Sequence, residues 1–128
     1  MNILLIFFGG GLGAVARWTL STSIEQLVLH TPLHRFPFGI LACNLLGCFA
    51  VGCAFGALAQ RHPSWIFPFL VTGFLGGFTT FSTFGYETIT LAHGGQFGLA
   101  ALNLLLSNGL GLAAAWVGAR LAVAVYGS

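Results

Sequence analysis

Gly73-Phe-Leu-Gly-Gly-Phe-Thr-Thr-Phe-Ser-Thr-Phe84 lies inside an apolar stretch long enough to cross a membrane, yet it cannot make an ordinary apolar helix. Gly73, Gly76 and Gly77 weaken helix propagation, and Thr79, Thr80, Ser82 and Thr83 carry hydroxyls into a hydrophobic setting. Phe78, Phe81 and Phe84 recur at a spacing of three and form a slanted aromatic stripe. In hydrocarbon, freed backbone groups and hydroxyls are tolerated only where protein or a water-lined path satisfies them. The segment therefore reads as a site.

The surrounding composition is that of an integral membrane protein. Of 128 residues, 57% are hydrophobic and 5% charged, where a soluble domain has about 25% charged residues. The formal charges are Arg17, Glu25, Arg35, Arg61, Glu87 and Arg120. Residues 36–60, 62–86 and 88–119 carry none, and each run exceeds the ~20 residues that span a bilayer core. Scattered arginines giving a net charge of +2 are not the clustered basic face of a nucleic-acid binder. No basic residue precedes the first apolar run, so a secretory signal peptide is not expected. Cys43, Cys48 and Cys53 are spaced five apart in one apolar run, which suits packing between helices better than a disulfide or zinc framework.

Four spans follow, running from about Asn2 to Leu29, Phe38 to Ala59, Trp65 to about Leu91, and Phe97 to Val125. Polar, turn-prone links at 30–37, 60–64 and 92–96 separate them. The expected architecture is all-α, one domain over residues 1–128, with the third helix broken near mid-membrane. Trp18, Trp65 and Tyr126 are candidates for the membrane interfaces. With the N-terminus inside, Arg61 and Arg120 fall inside and Arg35 outside. That small bias leaves open a single orientation or insertion both ways with antiparallel self-pairing. The glycine pairs Gly9/Gly13 and Gly52/Gly56 allow close helix approach. Four short spans scarcely enclose a polar path, so an oligomer is expected.

Several polar residues share this apolar setting. A break in the third span would free carbonyls that coordinate cations and amides that favour anions. The alternative is a kinked helix whose hydroxyls bond back to its own carbonyls. The coincidence of glycines and hydroxyls favours the break. The Phe stripe suits helix packing, or else presents positive ring edges to a small anion. Asn44 is either inter-helix glue or a donor on a path, and its amide offers two hydrogens. Asn103 and Ser107 stand one turn apart on the same face, with Asn108 beside them. Arg17 at membrane depth needs a partner, a wet pocket or a snorkelling route. Glu87, one turn beyond Thr83, is the only acid near the stripe, so the inventory suits anions better than cations. His30, His34, His62 and His93 fall in expected links, and no catalytic or phosphate-binding motif occurs, so an enzyme is not expected.

Taken together, Gly10-xx-Gly13-Ala14-xx-Arg17, Phe38-Gly39-Ile-Leu-Ala-Cys-Asn44-xx-Gly47 and the Gly73–Phe84 segment resemble the Fluc/CrcB family of fluoride channels. The resemblance covers all four spans. It implies a dual-topology, multi-pass protein of the bacterial inner membrane, paired as an antiparallel homodimer with two pores in the lipid bilayer, that exports toxic fluoride passively. It further implies a central structural sodium ion held by the backbone carbonyls of Gly76 and Thr79. Phe81 and Phe84 match the phenylalanines of the family's fluoride pathway, and Asn44 its pore asparagine. Thr80, Ser82, Thr83, Glu87 and Ser107 match polar positions near that pathway, and Arg17 an arginine near the pore entrance. On the fourth span, Asn103 and Gly111 stand where some members carry a tyrosine and a second serine. A proton-coupled multidrug exporter would need a carboxylate within the first span, where the single candidate, Glu25, lies near the span's end. A purely structural membrane subunit would explain the glycines but not the convergence of Asn44, the hydroxyls and the phenylalanines.

Overall fold

The computed structural model describes residues 1–58 and 62–126. Among these the chain is helical, with four spans apolar and long enough to cross a membrane. They are α1 (Asn2–Val28), α2 (Phe38–Leu58), a composite third span (Phe67–His93) and α5 (Phe97–Tyr126). The expected spans agree to within a few residues. Ala59, at the expected end of the second, and Gln60 and Arg61, in the following link, lie outside the described residues.

The third span has three parts. Phe67–Leu75 is wound as a π-helix, one turn of α-helix follows as α3 (Gly76–Phe78), and α4 (Phe81–His93) resumes after an interruption. The Gly76 N–H reaches the Val71 carbonyl five residues back, the bond of the wider winding. Thr79 (φ −87°, ψ 154°) and Thr80 (φ −151°, ψ 121°) are extended, so the helix is broken rather than kinked. The break falls after the glycines, not among them. Gly73, Gly76 and Gly77 all stay helical. The Phe stripe divides with the helix: Phe78 stacks on Phe74 in the first half, and Phe81 pairs with Phe84 in the second.

Close packing accounts for the glycines. A Cβ on Gly9 would meet the Phe69 carbonyl, one on Gly13 the Phe74 carbonyl, and one on Gly77 the Gly10 carbonyl. These small residues let α1 lie backbone to backbone along the π segment and α3. The second intimate pair is α2 with α5, where a Cβ on Gly52 would strike the Ala115 carbonyl and one on Gly118 the Phe49 carbonyl. α4 leans mainly on α5. A glycine also closes α4: Gly95 adopts φ 74°, with Gly95 N–H bonded to the Ala92 carbonyl (3.0 Å) and Gln96 N–H to the Leu91 carbonyl (2.9 Å). That is a Schellman cap, and it turns the chain directly into α5. His93, expected in the link, belongs to the last turn of α4.

Gly13→Val is expected to destabilise the protein by about 1–3 kcal/mol, because backbone cannot yield to the added methyls. Gly11→Ala, on the same helix with open space around its Cα, should keep wild-type stability. Thermal unfolding in detergent reads both. A wild-type midpoint for Gly13→Val would contradict the close seating of α1.

Candidate functional site

The break is held by one side chain. Asn44, on α2, donates from Nδ2 to the Thr80 carbonyl (3.0 Å) and accepts the Thr80 N–H at Oδ1 (2.8 Å). Both backbone groups that helix would have paired are thus paired by a single amide. Gly47, one turn along α2, makes this possible, since a Cβ there would collide with the Thr79 Cγ2 methyl. On the first half, Thr79 N–H and Thr79 Oγ1 both donate to the Leu75 carbonyl, each at 3.0 Å, closing α3. On the second half, Thr80 is the N-cap of α4: its Oγ1 accepts the Thr83 N–H (3.2 Å) and lies 3.1 Å from Thr83 Oγ1 and 3.3 Å from Ser82 Oγ.

The two halves present opposite ends to this point. Among the described residues, no backbone hydrogen bond crosses the break to the carbonyls of Gly76, Gly77, Phe78 or Thr79. They form the negative end of the first half. The α4 N-terminus, with no acid in its first turn, is the positive end.

Beside the α4 terminus lies a cavity of about 320 Å³. Its lining includes Asn44, Thr79, Thr80, Phe81, Phe84 and Ser107. Six expected site residues, from α2, the broken span and α5, thus converge on one space. The Phe81 and Phe84 ring centres are 5.5 Å apart and tilted by 53°, with Phe84 buried and Phe81 79% exposed. Phe81 therefore forms an open lip, not a closed wall.

Five further residues line it: Asn108 repeats the polar theme expected on the fourth span, while Cys48, Gly111, Leu112 and Ala115 were not singled out as path residues from the sequence. Cys48 stands one turn after Asn44, and Asn108 and Gly111 lie on α5. The Cys48 thiol is half-buried, makes no disulfide, and packs against Gly111. The i+4 spacing from Asn44 was the available signal. Ser107 and Asn103 share a face as expected, Ser107 Oγ donating to Asn103 Oδ1 at 3.3 Å.

Two expected site residues lie apart from the cavity within one chain. Glu87 lines a separate space of about 330 Å³ with Glu25, His34 and Arg35, and its Oε2 is buried without a partner. Arg17, on α1, has a buried Nε without a partner, while its carbonyl accepts the Cys43 thiol at 3.7 Å. Ser82 and Thr83 join the Thr80 hydroxyl cluster at the α4 cap but do not line the cavity.

Residue types and placement define a class first: a multi-pass membrane protein whose third span is interrupted at a polar, aromatic-rimmed cavity. Residues 4–119 match the family described as CrcB-like protein, Camphor Resistance (CrcB). The chain is 46% identical over 125 residues to the fluoride-specific ion channel FluC of Solibacter usitatus, covering 95% of this chain and 98% of that protein. It is 43% identical over 121 residues to the fluoride-specific ion channel FluC of Acidobacterium capsulatum, covering 92% of this chain and 93% of the relative. The protein of the same description from Burkholderia pseudomallei is 44% identical over 128 residues, with 91% and 95% covered. The chain belongs to the CrcB family.

Asn44→Leu keeps similar bulk but strands the Thr80 N–H and carbonyl. The expected loss is roughly 1–3 kcal/mol for each unpaired group, read as a lower unfolding temperature in detergent. A variant as stable as wild type would mean that the amide is not what holds the break.

Proposed function

We propose that the protein is a passive, fluoride-selective channel that lets fluoride leave the cell across the bacterial inner membrane and so relieves fluoride toxicity. The convergence of Asn44, Thr80, Phe81, Phe84 and Ser107 on one cavity at the α4 N-terminus carries this reading, joined to relatives named for fluoride. A compact anion is strongly hydrated, and moving it into hydrocarbon without replacement partners is prohibitive. The cavity offers replacements: the second Asn44 amide hydrogen, the Ser107 hydroxyl, the amide end of α4, and the positive ring edges of Phe81 and Phe84. Each is neutral and separately weak, so an ion that is accepted can also leave. Chemistry of this kind moves an ion and transforms nothing. Thr80, Ser82 and Thr83 form the hydroxyl cluster beside the path, Glu87 is a further polar group near it, and Arg17 stands near its entrance.

The working unit is an antiparallel homodimer with two pores. Supporting this, the break and the Phe81 lip are open on one side, and irregular backbone facing lipid is not tolerated. A second copy is the cover that the reading supplies. At the break, the freed carbonyls of Gly76 and Thr79 suit a hard alkali cation, and Gly76 is exposed on the chain's surface. Carbonyls from two copies would hold a structural sodium ion, whose charge offsets the facing negative helix ends. No group of three or more His, Cys, Asp or Glu side chains suited to a metal occurs among the described residues.

Purified protein in liposomes should release fluoride rapidly when a potassium ionophore balances charge, with little chloride release, as read by ion-selective electrodes. Well-folded protein that passes no fluoride would overturn the channel. Phe81→Ile should slow fluoride release by about tenfold or more while assembly on a sizing column is kept. Replacing sodium with a large organic cation should lower the unfolding temperature of the detergent-purified protein. An unchanged temperature at all sodium concentrations would remove the structural ion.

A further inference from the structure

Asn103 is the most completely buried polar side chain in the described structure, at 1% exposure, and it lines no part of the cavity. A buried amide in a membrane span needs partners, and the partners of Asn103 form a directed chain. Ser107 Oγ donates to Asn103 Oδ1 (3.3 Å), Asn103 Nδ2 donates to Thr88 Oγ1 (2.9 Å), and Thr88 Oγ1 donates to the Phe84 carbonyl (2.7 Å). Both ends of the chain, Ser107 and Phe84, are cavity walls, while Thr88 and Asn103 are not.

We propose that Asn103 is a positioning residue for the ion path, acting through Ser107 at one end and through Thr88 and Phe84 at the other. This rests on the cavity being that path. The Asn103–Thr88 bond ties α5 to α4 one turn below the Phe84 ring and fixes where that ring stands. At the other end, the Asn103 carbonyl oxygen holds the Ser107 proton. Ser107 then presents lone pairs to the cavity until an ion competes for its hydrogen. An anion must out-accept a neutral amide oxygen to recruit Ser107, a condition that a compact, strongly basic halide meets more readily than a larger one. Thr90 gives the contrast: its Oγ1 makes the same back-bond to the Tyr86 carbonyl (2.8 Å), but it is exposed and no buried side chain joins it.

The test pairs fluoride flux with a probe of the ring. Asn103→Leu and Thr88→Val should each slow fluoride release from liposomes by about tenfold, and the double variant should be no slower than the worse single one. Thr88→Ser, which keeps the hydroxyl, and Thr90→Val should conduct like wild type. A 4-fluorophenylalanine at position 84 should change its fluorine resonance in Asn103→Leu and Thr88→Val but not in Thr90→Val. Flux within about twofold of wild type in the first two variants, additive losses, or an unmoved resonance overturns the proposal. If Asn103→Leu fails to fold, Thr88→Val against Thr88→Ser carries the same comparison. If wild type passes no fluoride, the channel reading falls, and the resonance, which needs no flux, still decides whether Asn103 positions the ring.

Discussion

One carboxamide governs the architecture of the third span. Interrupting a helix inside hydrocarbon exposes backbone groups that cost several kcal/mol each when unpaired. Asn44 removes that cost at the most vulnerable residue by satisfying both the N–H and the carbonyl of Thr80. No other uncharged side chain but glutamine carries a donor and an acceptor in this planar arrangement. The surrounding choices serve the clamp: Gly47 clears room for Thr79, the Thr79 hydroxyl seals α3, and the Thr80 hydroxyl opens α4. The extended pair is a junction between two helices whose N–H groups and Thr80 carbonyl are bonded, while the Thr79 carbonyl stays free.

A junction of this kind has an electrical consequence. The carbonyl end of the first half and the amide end of the second meet within two residues. Oppositely signed partial charges are therefore held close together in a medium that screens them little. Cation and anion preferences can coexist there without a single formal charge on the junction residues. The glycine seam with α1 holds the first half rigidly, and α5 supports the second half through the Asn103–Thr88 bond. Each half is thus anchored to a different neighbour, and the gap between them is set by packing on both sides.

How much of this was legible follows from the physics of each signal. Span limits were readable because charge and proline mark where hydrocarbon ends. A break was readable because hydroxyls and glycines crowd one apolar segment, but its place was not. Low glycine propensity pointed to positions 73–77, where the chain instead uses small residues to bring α1 close and continues as helix. The threonines at 79 and 80 decide the position because their hydroxyls cap both sides. The π winding left no mark in the residue pattern. Facing direction was equally hidden on α1, α2 and α5, which are apolar around most of their circumference and offer little periodic contrast. Cys48 on α2 was therefore passed over and Arg17 on α1 fell outside the cavity formed by one chain; on α4, Thr88 was also passed over and Glu87 lines a separate space. Only where polar residues stood one turn apart, as with Asn103 and Ser107, did spacing predict contact.

The polar junction is also unevenly covered. α2 and α5 shield the Asn44 side, while Phe81 and Ser82 at the start of α4 face outward. Acyl chains accept no hydrogen bonds, so hydroxyls at this depth must bond to one another or to protein. Thr80, Ser82 and Thr83 do cluster, but three hydroxyls at one helix start leave lone pairs unused. A large aromatic ring at the lip is well suited to meet another protein surface, being rigid and apolar in its body with a polarised edge. The residues that make the site are therefore the same residues that make a lone chain a poor solution for a bilayer. A broken helix in lipid must be enclosed on every side, and the site is the place where one chain leaves that requirement unmet.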